Sequence, residues 1–223
     1  MLVRRHFRLA NHCECAVHAP HGGDGANGSG PGSIAEQTVD HRVNVVLGGG
    51  RARFEQTITG GPDIGKTVIQ SAQRQGYSVV FDAGSLAAVD SDHVLGLFNA
   101  GNMSLEWSGL QAMALPGSGF PNGQSCLENQ RPSNEPSLGD MTAKAIDLLD
   151  DPQRRRGRNR RGFFLQVEGA SIDKQDHAEN PCQQIGETIA FDRAMDGAAS
   201  LQHGGNAHRF ASAPWRFIQE MPE

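Results

Sequence analysis

The chain has 223 residues, 37% of them hydrophobic, and a formal net charge of −5. This length is sufficient for one domain with its own hydrophobic core. The negative charge gives no electrostatic reason to expect nucleic acid or an anionic membrane as a partner. No apolar stretch approaches membrane-spanning length. The basic start Met1–Arg5 lacks the apolar region of a signal peptide. The composition therefore favours a soluble α/β protein.

The first half of the chain predicts alternating strands and helices. Val43–Leu47 is predicted to be a strand that ends at the glycine triplet Gly48–Gly50. Lys66–Gln75 has a helical composition, and Gly76 follows it at a typical helix-stop position. Tyr77–Phe81 is a near-continuous apolar run, which is typical of a covered strand in a parallel sheet.

The second half continues this pattern after a long loop. Gly109–Pro136 is rich in proline, glycine, serine and asparagine. A helix is predicted from Pro136, with one apolar face made of Met141, Ala145, Ile146 and Leu149. Phe163–Val167 is predicted to be a short, largely buried strand, and Gly186–Ala199 another helix. The basic run Arg154–Arg161 is interpreted as a solvated loop before the Phe163 strand rather than a nucleic-acid site.

The residues that follow the Phe163 strand carry the clearest chemistry. Glu168 stands at the carboxyl end of the strand, where open α/β sheets place their ligand sites. Asp173 and His177 are spaced i, i+4, so on a helix they share one face and could hold one ion. A carboxylate with an imidazole suits zinc, an all-oxygen environment at Glu168 suits magnesium, and Lys174 supplies a charge for an anion. The alternative is a solvated helix start with Asp173 near the N-cap.

Gly60–Thr67 satisfies the pattern of a nucleotide-binding P-loop, G-x-x-x-x-G-K-[ST]. A P-loop follows a buried strand, whereas Phe54–Thr59 is polar and weakly patterned. Val79–Asp82 imitates the second nucleotide motif but comes directly after the first predicted helix. Nucleotide binding is therefore the least favoured function.

A long and specific string, Gly162–Thr188, closely resembles bacterial alkaline phosphatases. Further segments resemble the same family in the same order, and together they cover about residues 30–199: Gly32–Gln37, Val45–Gly50, Leu95–Met103 and Pro136–Thr142. The resemblance implies a partial alkaline phosphatase fold, a three-layer α/β/α sandwich with a mostly parallel sheet. We expect residues 1–30 and 200–223 to be irregular segments on either side of a partial domain at 31–199.

The resemblance also implies an activity and a set of site residues. The activity is hydrolysis of phosphate monoesters with Zn²⁺ and Mg²⁺, through a phosphoserine. Glu168 would bind magnesium, Asp173 and His177 would bind one catalytic zinc, and Lys174 would reach the phosphate. Cys126 and Cys182 match the positions of a family disulfide, and such a bond is typical of a periplasmic or secreted protein. The family is typically dimeric, so a homodimer is possible.

Some family motifs are missing from this sequence. The nucleophile lies in an Asp-Ser-Ala motif, whereas the Asp-Ser pair here, Asp90-Ser91, precedes Asp92 in another context. His203 and His208 stand near the place of a family Asp-His motif, but no aspartate precedes either. We expect the chain to be incomplete, with a reading frame that is shifted or truncated at both ends. We also expect it to hydrolyse phosphate monoesters weakly or not at all. The alternative is a non-catalytic metal-binding remnant.

Overall fold

The computed structural model describes residues 8–10, 33–109, 126–150 and 163–200. The strands are β1 (Arg8–Ala10), β2 (Val45–Gly48), β3 (Ser78–Val80), β4 (Val94–Leu97), β5 (Trp107–Ser108), β6 (Leu127–Glu128) and β7 (Gln166–Glu168). The helices are α1 (Ile34–Asp40), α2 (Arg51–Phe54), α3 (Val68–Arg74), α4 (Ala83–Ala88), α5 (Leu138–Asp150), α6 (Ala170–His177) and α7 (Pro181–Ser200). The basic run Arg154–Arg161 and the tail after Ser200 lie outside the described residues.

Five strands form one parallel sheet in the order β3-β4-β2-β1-β7, and β5 pairs with β6 in a small antiparallel ribbon. Successive side chains of a strand point to opposite faces. Accordingly, Val45 and Leu47 of β2 pack in one hydrophobic cluster with α5, whereas Val46 packs in a second cluster with α1 and α3. Helices thus cover both faces of the sheet, which confirms the predicted three-layer α/β/α architecture.

Side-chain caps start helices α3 and α4, which lie on either side of β3 in the chain. Thr67 and Gln70 form a reciprocal capping box at α3, and Gly76 follows that helix with φ 88°, a conformation that favours glycine. Asp82 accepts a hydrogen bond of 2.7 Å from the Ser85 N–H at the start of α4. This bond lowers the pKa of Asp82, because it stabilises the carboxylate. Asp82, which imitates a nucleotide-site aspartate in the sequence, is therefore a helix cap.

Two expectations differ from the structure. The strand near Phe163 is Gln166–Glu168, and Phe164 before it is 55% exposed, so the prediction of a largely buried strand is wrong. Its pairing explains the difference, because among the described strands β7 pairs only with β1. Arg8–Ala10, expected to be irregular, forms a strand between β2 and β7. Backbone groups alone make this pairing, so a strand there needs little sequence pattern.

The other predicted elements agree with the structure within a few residues. Met141, Ala145 and Leu149 are buried on α5, while Ile146 is half-buried and Leu148 joins the core. The predicted helix at Gly186–Ala199 begins earlier, at Pro181. None of the helices in the described ranges is long and apolar enough to cross a membrane.

Candidate functional site

The candidate site lies at the carboxyl edge of the parallel sheet. The strand register places Gly48 of β2 beside Leu97 of β4 on one side and Ala10 of β1 on the other, and Ala10 beside Glu168 of β7. The turn after β2, the loop after β4 and helix α6 after β7 therefore leave the sheet at one level. In open α/β folds this edge is where ligands bind.

Helix α6 brings two of the predicted zinc ligands together. Nε2 of His177 lies 3.5 Å from Oδ1 of Asp173, one helical turn away. Two ligands that each lie about 2.0–2.1 Å from a tetrahedral zinc ion are themselves about 3.3 Å apart. Asp173 is 45% and His177 78% exposed, so both remain accessible to an ion. The pair fits part of a zinc site, and it is also an ordinary i, i+4 ion pair when His177 is protonated.

Glu168 is the last residue of β7, at the predicted strand end, and is half-buried. Within the described ranges, no three or more histidine, cysteine or acidic side chains come together as a metal-binding group. Glu168 therefore does not form a three-ligand cluster with Asp173 and His177. The assignment of Glu168 to magnesium and of the α6 pair to zinc stays a prediction.

Lys174, also on α6, lies beside the loop that follows β4. Its Nζ donates to Oδ1 of Asn102 at a distance of 3.4 Å. Asn102 belongs to the segment Leu95–Met103, but its position 72 residues before Lys174 gives no sequence signal that the two meet. The edge of the sheet thus gathers an Asp-His pair and an ammonium group, a combination suited to a cation and an anion side by side.

A family model described as alkaline phosphatase matches residues 14–209. The chain belongs to the alkaline phosphatase family. It is 49% identical over 177 residues to the streptomycin-6-phosphate phosphatase of Streptomyces griseus, covering 79% of this chain and 38% of that protein. It is 46% identical over 181 residues to an alkaline phosphatase of Escherichia coli K12, covering 79% of this chain and 37% of that protein. The chain thus spans just over a third of the length of these curated relatives.

The crystal structure of the Thermus thermophilus alkaline phosphatase has the same fold, with a TM-score of 0.58 at 21% identity over 89% of this chain and 36% of that one. A cold-active alkaline phosphatase from Shewanella gives a TM-score of 0.56 at 20% identity, over 89% and 40% of the two chains. The family match of residues 14–209 extends beyond the 30–199 expected from the motifs at both ends.

In this member of the alkaline phosphatase family, the loop after β4 is fixed by a buried carboxylate that the sequence analysis did not identify. Glu135 is 5% exposed and accepts hydrogen bonds from Asn99, from the Ser104 N–H at 2.6 Å and from Arg131 at 3.2 Å. Four donors, including the Ser104 hydroxyl, surround this carboxylate. Burial of a charge is tolerable when it is paired in this way. Glu135 therefore ties the loop to the segment before α5.

Glu187 of α7 holds the far end of the same loop. It is 1% exposed and accepts a hydrogen bond of 2.8 Å from the Glu106 N–H. The Glu106 side chain in turn pairs with Arg131. Loop, helix α7 and the segment before α5 thus form one polar network, whose members are too far apart in sequence for spacing to predict it.

A disulfide joins Cys126 and Cys182, the two cysteines that the resemblance paired. Cys182 is the second residue of α7, four residues after the end of the α6 region at Ala178. Helix α7 and strand β5 also pack closely near the disulfide: a β-carbon on Gly186 would lie 2.6 Å from the Trp107 ring. The covalent bond thus attaches the β5–β6 ribbon to the helix that follows the Asp173–His177 pair.

The P-loop-like segment has a structural role in this protein. Asp63, 5% exposed, accepts hydrogen bonds from Arg74, Ser71 and Lys66. The bonds from Arg74 and Ser71 hold the pKa of Asp63 well below its usual range. The lysine of the pattern therefore points to a neighbouring carboxylate, and Thr67 caps α3. This geometry does not support nucleotide binding.

Proposed function

We propose that this chain supplies part of the metal and phosphate site of an enzyme that hydrolyses phosphate monoesters. Asp173 and His177 hold zinc, Glu168 holds magnesium, and Lys174 attracts the phosphate group. The observation that carries the proposal is the 3.5 Å approach of His177 to Asp173, with Lys174 on the same helix at the carboxyl edge of the sheet. Bound zinc and magnesium would act as Lewis acids that stabilise negative charge on phosphoryl oxygens.

The residues of this chain would perform the binding and orienting steps. Helix α6 presents one nitrogen and one oxygen donor from adjacent turns, which is the donor set that zinc accepts. The ammonium of Lys174 is a compact charge that favours a phosphate dianion. Since the sequence has no Asp-Ser-Ala motif, we expect weak or no ester hydrolysis by this chain alone.

The setting of the site supports two further parts of the proposal. The Cys126–Cys182 disulfide is of the kind that persists in oxidising compartments, which supports a periplasmic or secreted location. A homodimer is proposed from the family alone.

Zinc titration of the purified chain, followed by competition with a chromophoric chelator, tests the metal site. Loss of a partner that merely orients a ligand costs about 10–100-fold in metal affinity, and loss of the ligand itself costs at least as much. We therefore expect His177→Ala to weaken zinc binding by about tenfold or more. His41→Ala, which removes an exposed histidine at the end of α1, is the matched control and should leave the affinity unchanged.

Equal zinc affinities of His177→Ala and the wild type would contradict the proposed site. The second candidate is a non-catalytic metal-binding remnant, which is favoured by the pairing of just two zinc ligands within the described ranges. Hydrolysis of a chromogenic phosphate ester distinguishes the two candidates. Turnover by the wild-type chain that a chelator abolishes would exclude the remnant and would also refute our expectation of weak activity.

A further inference from the structure

Lys174 contacts a residue outside its own helix, Asn102 in the loop after β4, and the structure shows how this loop is held. Along the sheet, Leu97 and Glu168 are separated by three strand spacings, about 14 Å. Asn102 is five residues beyond Leu97, and five extended residues reach at most roughly 17 Å. The loop after β4 must therefore run along the edge of the sheet to bring Asn102 to α6.

The glycine turn after β2 holds this loop in place. The backbone N–H groups of Gly50, Arg51 and Ala52 donate to the carbonyl oxygens of Gly101, Asn99 and Ala100, at 2.6, 3.0 and 3.1 Å. These are amides at the start of α2, which have no partners within their own helix. The approach requires glycine, because a β-carbon on Gly49 would lie 2.4 Å from the Gly101 oxygen, and Gly50 has φ 79°.

Side chains fix the two ends of the Asn102 segment. Before it, the Asn99 side chain accepts from the Gly101 N–H at 3.0 Å and donates to Glu135 at 3.0 Å. After it, the Ser104 N–H donates to the same carboxylate at 2.6 Å. Asn102 thus lies in a short backbone segment that is fixed by hydrogen bonds on both sides. Such support allows a single surface side chain to define a position, because the backbone beneath it cannot relax.

We infer that Asn102 is a positioning residue for Lys174 and raises the affinity of the site for phosphate. Its Oδ1 accepts from the Lys174 ammonium at 3.4 Å and restricts the rotamers of a long, flexible side chain. The cost of ordering Lys174 is then met before the anion arrives, which is preorganisation of a binding group. The inference rests on the proposed function, since it takes phosphate as the anion. It also gives a role to two segments, Gly48–Gly50 and Leu95–Met103, that contain no metal ligand.

The contact itself can be tested without metal or substrate. Trace acylation of lysines in the folded, metal-free chain, read by mass spectrometry, reports how freely the Lys174 amine reacts, with Lys144 as the internal reference. We expect Asn102→Ala to raise the relative labelling of Lys174 about threefold. Asn102→Asp retains an oxygen acceptor and adds a negative charge that favours the unreactive ammonium, so Lys174 should be labelled no more than in the wild type. Asn129→Ala is the matched control, because Asn129 supports the same loop through the Leu105 carbonyl, 2.9 Å away.

The phosphate role is tested by calorimetric titration of inorganic phosphate into the full chain loaded with zinc and magnesium. We expect Asn102→Ala to weaken binding about three- to tenfold with zinc affinity unchanged. In a Lys174→Ala background the same substitution should have no further effect, because it acts through Lys174. Additive losses, or an equal loss in Asn129→Ala, would show a merely structural role and overturn the inference.

The two measurements separate this inference from the proposed function. Labelling of Lys174 that does not change in Asn102→Ala would overturn the inference and leave the proposed function standing. A wild-type chain in which Lys174 is protected but phosphate does not bind would overturn the proposed function, and with it the phosphate role of Asn102.

Discussion

Replacing both cysteines of the Cys126–Cys182 disulfide with serine should strongly destabilise the protein. The bond closes a loop with a sequence separation of 56 residues. In the chain-entropy treatment, cross-linking a loop of this length lowers the entropy of the unfolded chain by about 14 cal/mol/K, or about 4 kcal/mol at 25 °C. Domain stabilities are about 5–15 kcal/mol, so this loss is a large fraction of the total.

Equilibrium unfolding in urea, followed by circular dichroism, measures the effect as a shift of the midpoint. The double serine variant is preferable to a reducing agent, because the chain also contains Cys13 and Cys15. A Cys13→Ser, Cys15→Ser double variant is the control for the loss of two sulfur atoms. A difference below about 1 kcal/mol between the Cys126–Cys182 variant and the wild type would refute the argument from loop closure.

Two further predictions concern the core and the acid stability. Gly96→Ala should destabilise the protein by about 1–3 kcal/mol, because the new β-carbon would lie 2.5 Å from the Phe98 ring and overpack the core. Urea unfolding measures the loss of stability. Gly197→Ala is the control, because a β-carbon at Gly197 would meet no atom within 4 Å. Asp63→Asn should lower stability at pH 7, because hydrogen bonds from Arg74 and Ser71 hold the pKa of this carboxyl well below its usual value of 3.8. Because the pKa of Asp63 is lower in the folded state than in the unfolded state, the ionised carboxylate stabilises the protein fully above the unfolded-state pKa. This stabilisation is lost as the pH falls towards the folded-state pKa.

Each of these two predictions has its own contradicting outcome. If Gly96→Ala had the urea midpoint of the wild type, the prediction would fail, because the packing around β2 and β4 would have rearranged at little cost in stability. For Asp63, the midpoints of wild type and Asp63→Asn should approach each other as the pH falls below about 4. A gap that stays constant from pH 7 into that acid range would show that the effect does not come from ionisation of Asp63.

Several parts of the structure follow from local sequence. The covered strand at Val45–Gly48, the helix ended by Gly76 and the helix from Leu138 depend on apolar periodicity and on glycine backbone freedom, which neighbouring residues determine. The i, i+4 spacing of Asp173 and His177 likewise predicts their contact once the segment is helical.

The sequence by itself determined the family, the three-layer architecture and the residues of α6 that the proposed site uses, because long motifs and short-range spacing encode them. Only the tertiary structure decided that Arg74 contacts Asp63 of the P-loop-like segment, that Glu135 fixes the loop after β4, and that Asn102 meets Lys174. The last two contacts join residues 31 and 72 positions apart. Such contacts depend on strand order and register at the carboxyl edge of the sheet, and no spacing along the chain specifies them.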